Sequence, residues 1–265
     1  MQTLLLIFVF FFGTIIGSFL NVVICRHGTG RSLGGRSKCD ITGKTLKWYE
    51  LIPIISFLIQ GGRSRHSKTK ISWKDPLVEF STGLIFVLIF YKLSHFIYSC
   101  PETFIVNLAY YFVIFSYLIL IFVYDLYHKV IPNIFLYPLT ILSFVGAFFL
   151  PAGIFDVTFI ELAAGPLVAL PIAVIWLVSK GRGMGFGDVL LLIPLGWLLG
   201  ASAGFAGLLL AFWIGAVAGI LLLLKGKKTL KSEIPFGPFI VLGFAIAFLY
   251  NIDMQSIANF FSRLI

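Results

Sequence analysis

Eleven acidic side chains occur in this chain of 265 residues, and nine of them fall in loops or at the ends of apolar runs. The other two stand where lipid is expected. Asp125 closes one apolar run in LILIFVYDLYHKVIPN, and Asp188 opens another in GMGFGDVLLL. A carboxylate on a membrane helix is costly and calls for a partner. Two carboxyls that share a site cannot easily both ionise, so such a pair holds one proton at neutral pH. One group can then act as base toward water while the other donates to a carbonyl, which is hydrolysis without a covalent enzyme intermediate.

The neighbours of Asp188 suit that chemistry. Gly185 and Gly187 flank it, and without a Cβ they allow unusual backbone angles and the close approach of an extended peptide. Simpler readings stand beside this one. Asp188 alone also reads as a helix N-cap on a glycine turn, and Asp125 as an interfacial charge paired with His128 or Lys129 in its own turn.

Whatever the two acids do, membrane helices must position them. The composition is 59% hydrophobic and only 12% charged, well outside the balance of a soluble domain. Apolar runs recur near 3–24, 77–98, 103–124, 131–150, 158–179, 188–201, 203–224 and 236–250, with the sixth and eighth short. Runs of about 20 residues cross a hydrocarbon core about 30 Å thick. Unpaired backbone groups are not tolerated in lipid, and no ten-residue alternation suggests a barrel. The predicted fold is an all-α polytopic bundle of about eight transmembrane helices with one large basic loop after the first. Residues 1–25 read as the first transmembrane helix, 26–75 as the basic loop and 76–265 as the membrane-embedded core.

Charge sets the orientation. Of the 20 lysines and arginines, all but Lys92 and Arg263 lie in segment 26–75, beside Asp125 or Asp188, or in 225–231. With eight spans these segments share one side, which is then cytoplasmic, with Asp125 and Asp188 at matching depth on it and both chain ends outward. This topology also accounts for the net charge of +9 without nucleic acid, since anionic leaflet lipids attract such loops. The start MQTLLLIFVF lacks a basic n-region, so the first run is read as a permanent helix. On it, Gly13, Gly17 and Asn21 recur every four residues and predict close helix packing. Three cysteines, Cys25, Cys39 and Cys100, make neither an even disulfide framework nor a metal cluster. DMQSIANFFSRLI near the end reads as a short amphipathic helix.

Recognisable blocks run in order along the chain: GSFLNVVI from Gly17 with Arg26; Trp48, Tyr49 and Pro53; and PLVE from Pro76 with Thr82 and Gly83. Asp125 with Ile131 and Pro132, then Gly183, Gly185, Gly187 and Asp188, and IPFGPF at Ile234–Phe239 follow. By these blocks the chain resembles the bacterial type IV prepilin peptidases, the prepilin leader peptidase/N-methyltransferase family of GxGD membrane aspartic proteases. The resemblance implies an aspartic endopeptidase in the bacterial cytoplasmic (inner) membrane, with Asp125 and Asp188 catalytic and Gly185 and Gly187 supporting the motif. The implied substrates are type IV prepilins and pseudopilins, cleaved after a glycine at the cytoplasmic face. Many members then methylate the new N-terminus with S-adenosylmethionine, although no Rossmann-type glycine signature supports that independently here.

One departure stands out. Many relatives carry two CxxC pairs in the first loop, thought to hold zinc. Here the first pair reads Cys39, Asp40, Ile41, Thr42 and the second Ser64, Arg65, His66, Ser67. Cys39 and His66 leave two protein ligands where tetrahedral zinc wants four, so this loop reads as a degenerate relic without metal, held in shape by other means. The peptidase reaction itself calls for no cofactor. Two rivals remain: a proton-coupled transporter using the same aspartates, which needs midplane acids and inverted repeats that are not visible, and a structural scaffold of the pilus assembly machine in which the acids merely pair with Lys129 or Arg182. A thiol protease would instead require Cys39 and His66 as an essential pair.

Overall fold

The computed structural model describes residues 2–29, 32, 34–37, 42–65, 67–149, 159–226 and 234–263. Its regular elements are α1 (Gln2–Arg26), α2 (Ile55–Ile59), α3 (Lys74–Leu93), α4 (Phe96–Ser99), α5 (Pro101–His128), α6 (Asn133–Phe149), α7 (Phe159–Val178), α8 (Phe186–Leu224), α9 (Gly237–Tyr250) and α10 (Met254–Ser262). Among the described residues there is no strand, only an isolated bridge between Arg63 and Lys70. The all-helical membrane architecture expected from the sequence is what the chain adopts.

Among the described residues, five helices are long and apolar enough to cross a membrane, or six if the pair α9 and α10, bent by 82°, counts as one span. The expectation of eight spans is therefore approximate. α6 is a shorter apolar helix, and the sixth and seventh runs are joined in the 39-residue α8. A straight helix of that length would be about 58 Å long, nearly twice the hydrocarbon core. α8 is not straight: Gly200, at φ 77 and ψ 172, leaves helical geometry inside it. That backbone region is open to glycine almost alone, and it falls at the boundary placed between the two runs.

The chain divides into two compact units, Met1–Ser116 and Tyr117–Ile265. In the first, α1 lies on α3 along the face set by the four-residue repeat. A Cβ on Gly13 would stand 2.7 Å from Gly83 Cα, and one on Gly17 2.7 Å from Glu79 Cα. Asn21 on the same face donates from Nδ2 to the Asp75 carbonyl at 3.0 Å. Lipid gives helices no hydrophobic reason to associate, so such close approach of small residues supplies the attraction. Phe86 of α3 stacks on Phe112 of α5, centroids 4.0 Å apart.

In the loop before α3, described residues between 42 and 73 make contacts with one another and with α3. Phe57 of α2 meets Trp73 edge-on at 4.6 Å. Glu79 of α3, only 8% exposed, accepts the Ile54 N–H at 2.7 Å. The 63–70 turn closes through Ser64 N–H to the Thr69 carbonyl at 2.9 Å, and Ile71 N–H reaches the Gly62 carbonyl at 2.8 Å.

In the second unit α8 is packed by α6, α7 and α9, and it meets α7 and α9 through small residues. A Cβ on Gly196 would come 2.6 Å from the Ala164 carbonyl oxygen, and Trp197 Nε1 donates to the Leu162 carbonyl at 2.8 Å. A Cβ on Gly243 of α9 would meet Ala211 N of α8 at 2.6 Å and collide with the Gly207 carbonyl oxygen. The expected terminal helix forms as α10, capped by Asp253, whose Oδ1 accepts the Ser256 N–H at 2.8 Å.

Candidate functional site

Asp125 lies in the last turn of α5. The helix is ended there by its own sequence: the Lys129 N–H closes on the Asp125 carbonyl at 2.8 Å, and Lys129 itself turns to φ 55. Pro132 follows and disfavours helical geometry at Ile131 before α6 begins. Asp188 lies in the first turn of α8, after a turn in which Lys180 (φ 54) and Gly181 (φ 76) are left-handed. Gly185, in extended geometry, is the N-cap of α8.

Both carboxylates are buried, Asp125 at 4% exposed and Asp188 at 8%. A buried carboxylate needs hydrogen bonds, and each has one from backbone. Gly185 N–H donates to Asp188, and Gly237 N–H, at the start of α9, donates to Asp125. Each acid therefore sits at the positive end of a helix, Asp188 within α8 and Asp125 facing α9. Asp188 lies close enough to Asp125 to feel its charge. They open on one cavity of about 920 Å³, whose wall also carries Lys129, Arg182, Met184 and Phe236.

The structure thus brings together all four residues singled out in the sequence: Asp125, Asp188, Gly185 and Gly187 line the same cavity. The glycines act differently from the expectation of unusual backbone angles, because neither has a left-handed φ. Size is their contribution. A Cβ on Gly187 would stand 3.3 Å from Ile131 Cβ, tighter than ordinary packing. Ile131 reaches the other helix too, since a Cβ on Gly237 would stand 3.3 Å from its Cδ1. One side chain after α5 thus fits against the starts of both α8 and α9.

Gly237 and the wedge role of Ile131 are what the sequence reading missed. The signal was present in IPFGPF and in the isoleucine before Pro132, but both were read only as motif blocks.

Among the described residues, no group of three or more His, Cys, Asp or Glu gathers as metal ligands do. Cys39 and His66 lie outside the described residues. At the second CxxC-like position the side chains do not suit zinc. Ser67 Oγ and Thr69 Oγ1 bond each other at 2.6 Å, and Ser64 Oγ accepts the Ser67 N–H at 3.5 Å. Gly61 (φ 58) and Gly62 (φ 69) form a tight turn beside Phe57, not a strand-to-helix nucleotide cradle.

Comparison with known proteins identifies the family. Residues 11–93 match the family described as Bacterial Peptidase A24 N-terminal domain, and residues 112–221 match the Type IV leader peptidase family. The chain is 31% identical to a prepilin leader peptidase/N-methyltransferase of Bacillus subtilis, over 96% of this chain and 97% of that protein. A protein of the same name from Myxococcus xanthus is 34% identical over 86% of this chain and 66% of its own length. One from Vibrio cholerae is 29% identical over 88% of this chain and 92% of its own. No solved structure matches.

Proposed function

The chain belongs to the type IV leader peptidase family, and from that premise we propose that Asp125 and Asp188 are its catalytic pair. It is a membrane-embedded peptidase that removes the leader of type IV prepilins, with N-methylation of the product as a second activity of the family. The observation that carries the assignment is the pairing of two buried carboxylates on one cavity, each held by a backbone N–H at a helix N-terminus.

In this reading the substrate's apolar segment lies among the helices and its leader crosses the cavity extended. A water between the carboxylates is deprotonated by the ionised member and attacks the carbonyl of the glycine that ends the leader. The protonated member donates to the carbonyl oxygen. The tetrahedral intermediate then collapses, the nitrogen leaves with a proton from the dyad, and the pair is restored with one proton shared. No acyl-enzyme forms, so neither Cys39 nor any serine is needed as nucleophile. Lys129 and Arg182 border the site, on what the positive-inside pattern makes the cytoplasmic face of the bacterial inner membrane.

Both acids occupy terminal turns of their helices. That position suits a peptide met at the membrane face, whereas a proton-coupled transporter would use acids near the midplane. Methyl transfer would draw on S-adenosylmethionine and is a separate step from the aspartates' chemistry. The zinc of many relatives does not fit the donors present in this loop.

The test is coexpression with a tagged prepilin, followed by mass spectrometry of the product's N-terminus. The reading predicts a shortened product that begins after the leader glycine, with or without an added methyl. A substrate recovered at full length would contradict it.

A further inference from the structure

Resting on the reading of Asp125 and Asp188 as the catalytic pair, we propose that Gly237 is a positioning residue for Asp125. It acts through its N–H and through the space left by its missing side chain. Its backbone is helical, the first residue of α9, so no left-handed angle calls for glycine there. What calls for it is the carboxylate. A Cβ at this position would stand 2.5 Å from Asp125 Oδ2 and 3.3 Å from Cγ.

The donor is equally specific. In the first turn of α9, Pro238 has no N–H, and the N–H groups of Phe239 and Ile240 both close on the Phe236 carbonyl, at 2.9 and 3.1 Å. Gly237 is the one donor of that turn left for an anion, and Asp125 takes it.

A methyl at 237 must therefore displace something. α9 does not retreat easily, because Gly243 two turns on is pressed against the α8 backbone at Gly207 and Ala211. The carboxylate is the softer element. Moving Oδ2 from 2.5 Å to an ordinary contact of 3.4 Å takes it about 0.9 Å from its place. A displacement of that size leaves the fold intact and misaligns one member of the dyad, an effect on the order of 100-fold in rate.

The experiment uses the full-length protein in nanodiscs with a prepilin substrate, comparing Gly237→Ala, Gly243→Ala, Asp125→Asn and Gly219→Ala, whose Cβ meets nothing within 4 Å. The proposal expects Gly237→Ala to lose about 100-fold in kcat with KM nearly unchanged. Its unfolding midpoint stays at the parent value, unlike that of Gly243→Ala, and Gly219→Ala keeps parental kinetics. A Gly237→Ala enzyme with parental kcat, beside an inactive Asp125→Asn, overturns the positioning role and leaves the dyad standing. So does a kcat loss accompanied by the same fall in midpoint as Gly243→Ala. An active Asp125→Asn overturns the dyad, and the positioning role with it.

Discussion

Replacing Glu79 tests how the basic loop keeps its fold with few metal-binding side chains. Its Oε2 accepts the Ile54 N–H at 2.7 Å, across 25 residues of sequence, from a side chain only 8% exposed. Ile54 stands at φ 61 and ψ −53, a region a β-branched residue enters only under constraint. Such backbone costs on the order of 1–3 kcal/mol and already opposes the closed loop. In Glu79→Ala the donor loses its charged acceptor, worth about 1.5–3 kcal/mol. At about 1.4 kcal/mol per decade, opening of the loop becomes about 10- to 150-fold more frequent. Hydrogen exchange of the full-length protein in nanodiscs reads this directly. Protection over Ile55–Ile59 should fall by that factor in Glu79→Ala, and by about fivefold in Glu79→Gln, which keeps a neutral acceptor. Unchanged protection in Glu79→Ala would refute the claim that this hydrogen bond anchors the loop.

Gly243→Ala should lower stability, since its Cβ would meet backbone atoms of α8, Ala211 N at 2.6 Å among them. Overpacking of this kind costs about 1–3 kcal/mol, and at about 2–4 °C per kcal/mol the unfolding midpoint should drop by about 2–12 °C, as read by differential scanning fluorimetry. Cys39→Ser should process prepilin at the parental rate, and EDTA should leave peptidase activity unchanged. Strong inhibition by chelator that zinc reverses would show that the loop does recruit metal.

The candidate site was legible because membrane helices make a misplaced acid conspicuous. Among long apolar runs, Asp125 and Asp188 stood out by solvation cost alone, and Gly13, Gly17 and Asn21 declared the face of α1 by helical period. The break between the sixth and seventh runs was visible too, although composition could not tell a loop from a single glycine leaving helical geometry inside one long helix. What stayed hidden depends on tertiary approach. Nothing local in IPFGPF says that Gly237 faces a carboxylate more than a hundred positions earlier in the chain. Glu79 likewise reads as one more acid at a span end until Ile54 is seen to need an acceptor. Ile131 looks like any apolar residue before a proline, and its role appears only when two helix starts close around it.

The most direct measurement is the rate of leader removal from a purified prepilin by Asp125→Asn and Asp188→Asn, each compared with the parent in the same lipid. Asparagine keeps the size and hydrogen-bonding shape but can neither take a proton from water nor pass one to the carbonyl. The account predicts no measurable cleavage by either variant, with unfolding midpoints near the parent's. Normal processing by either one would contradict it.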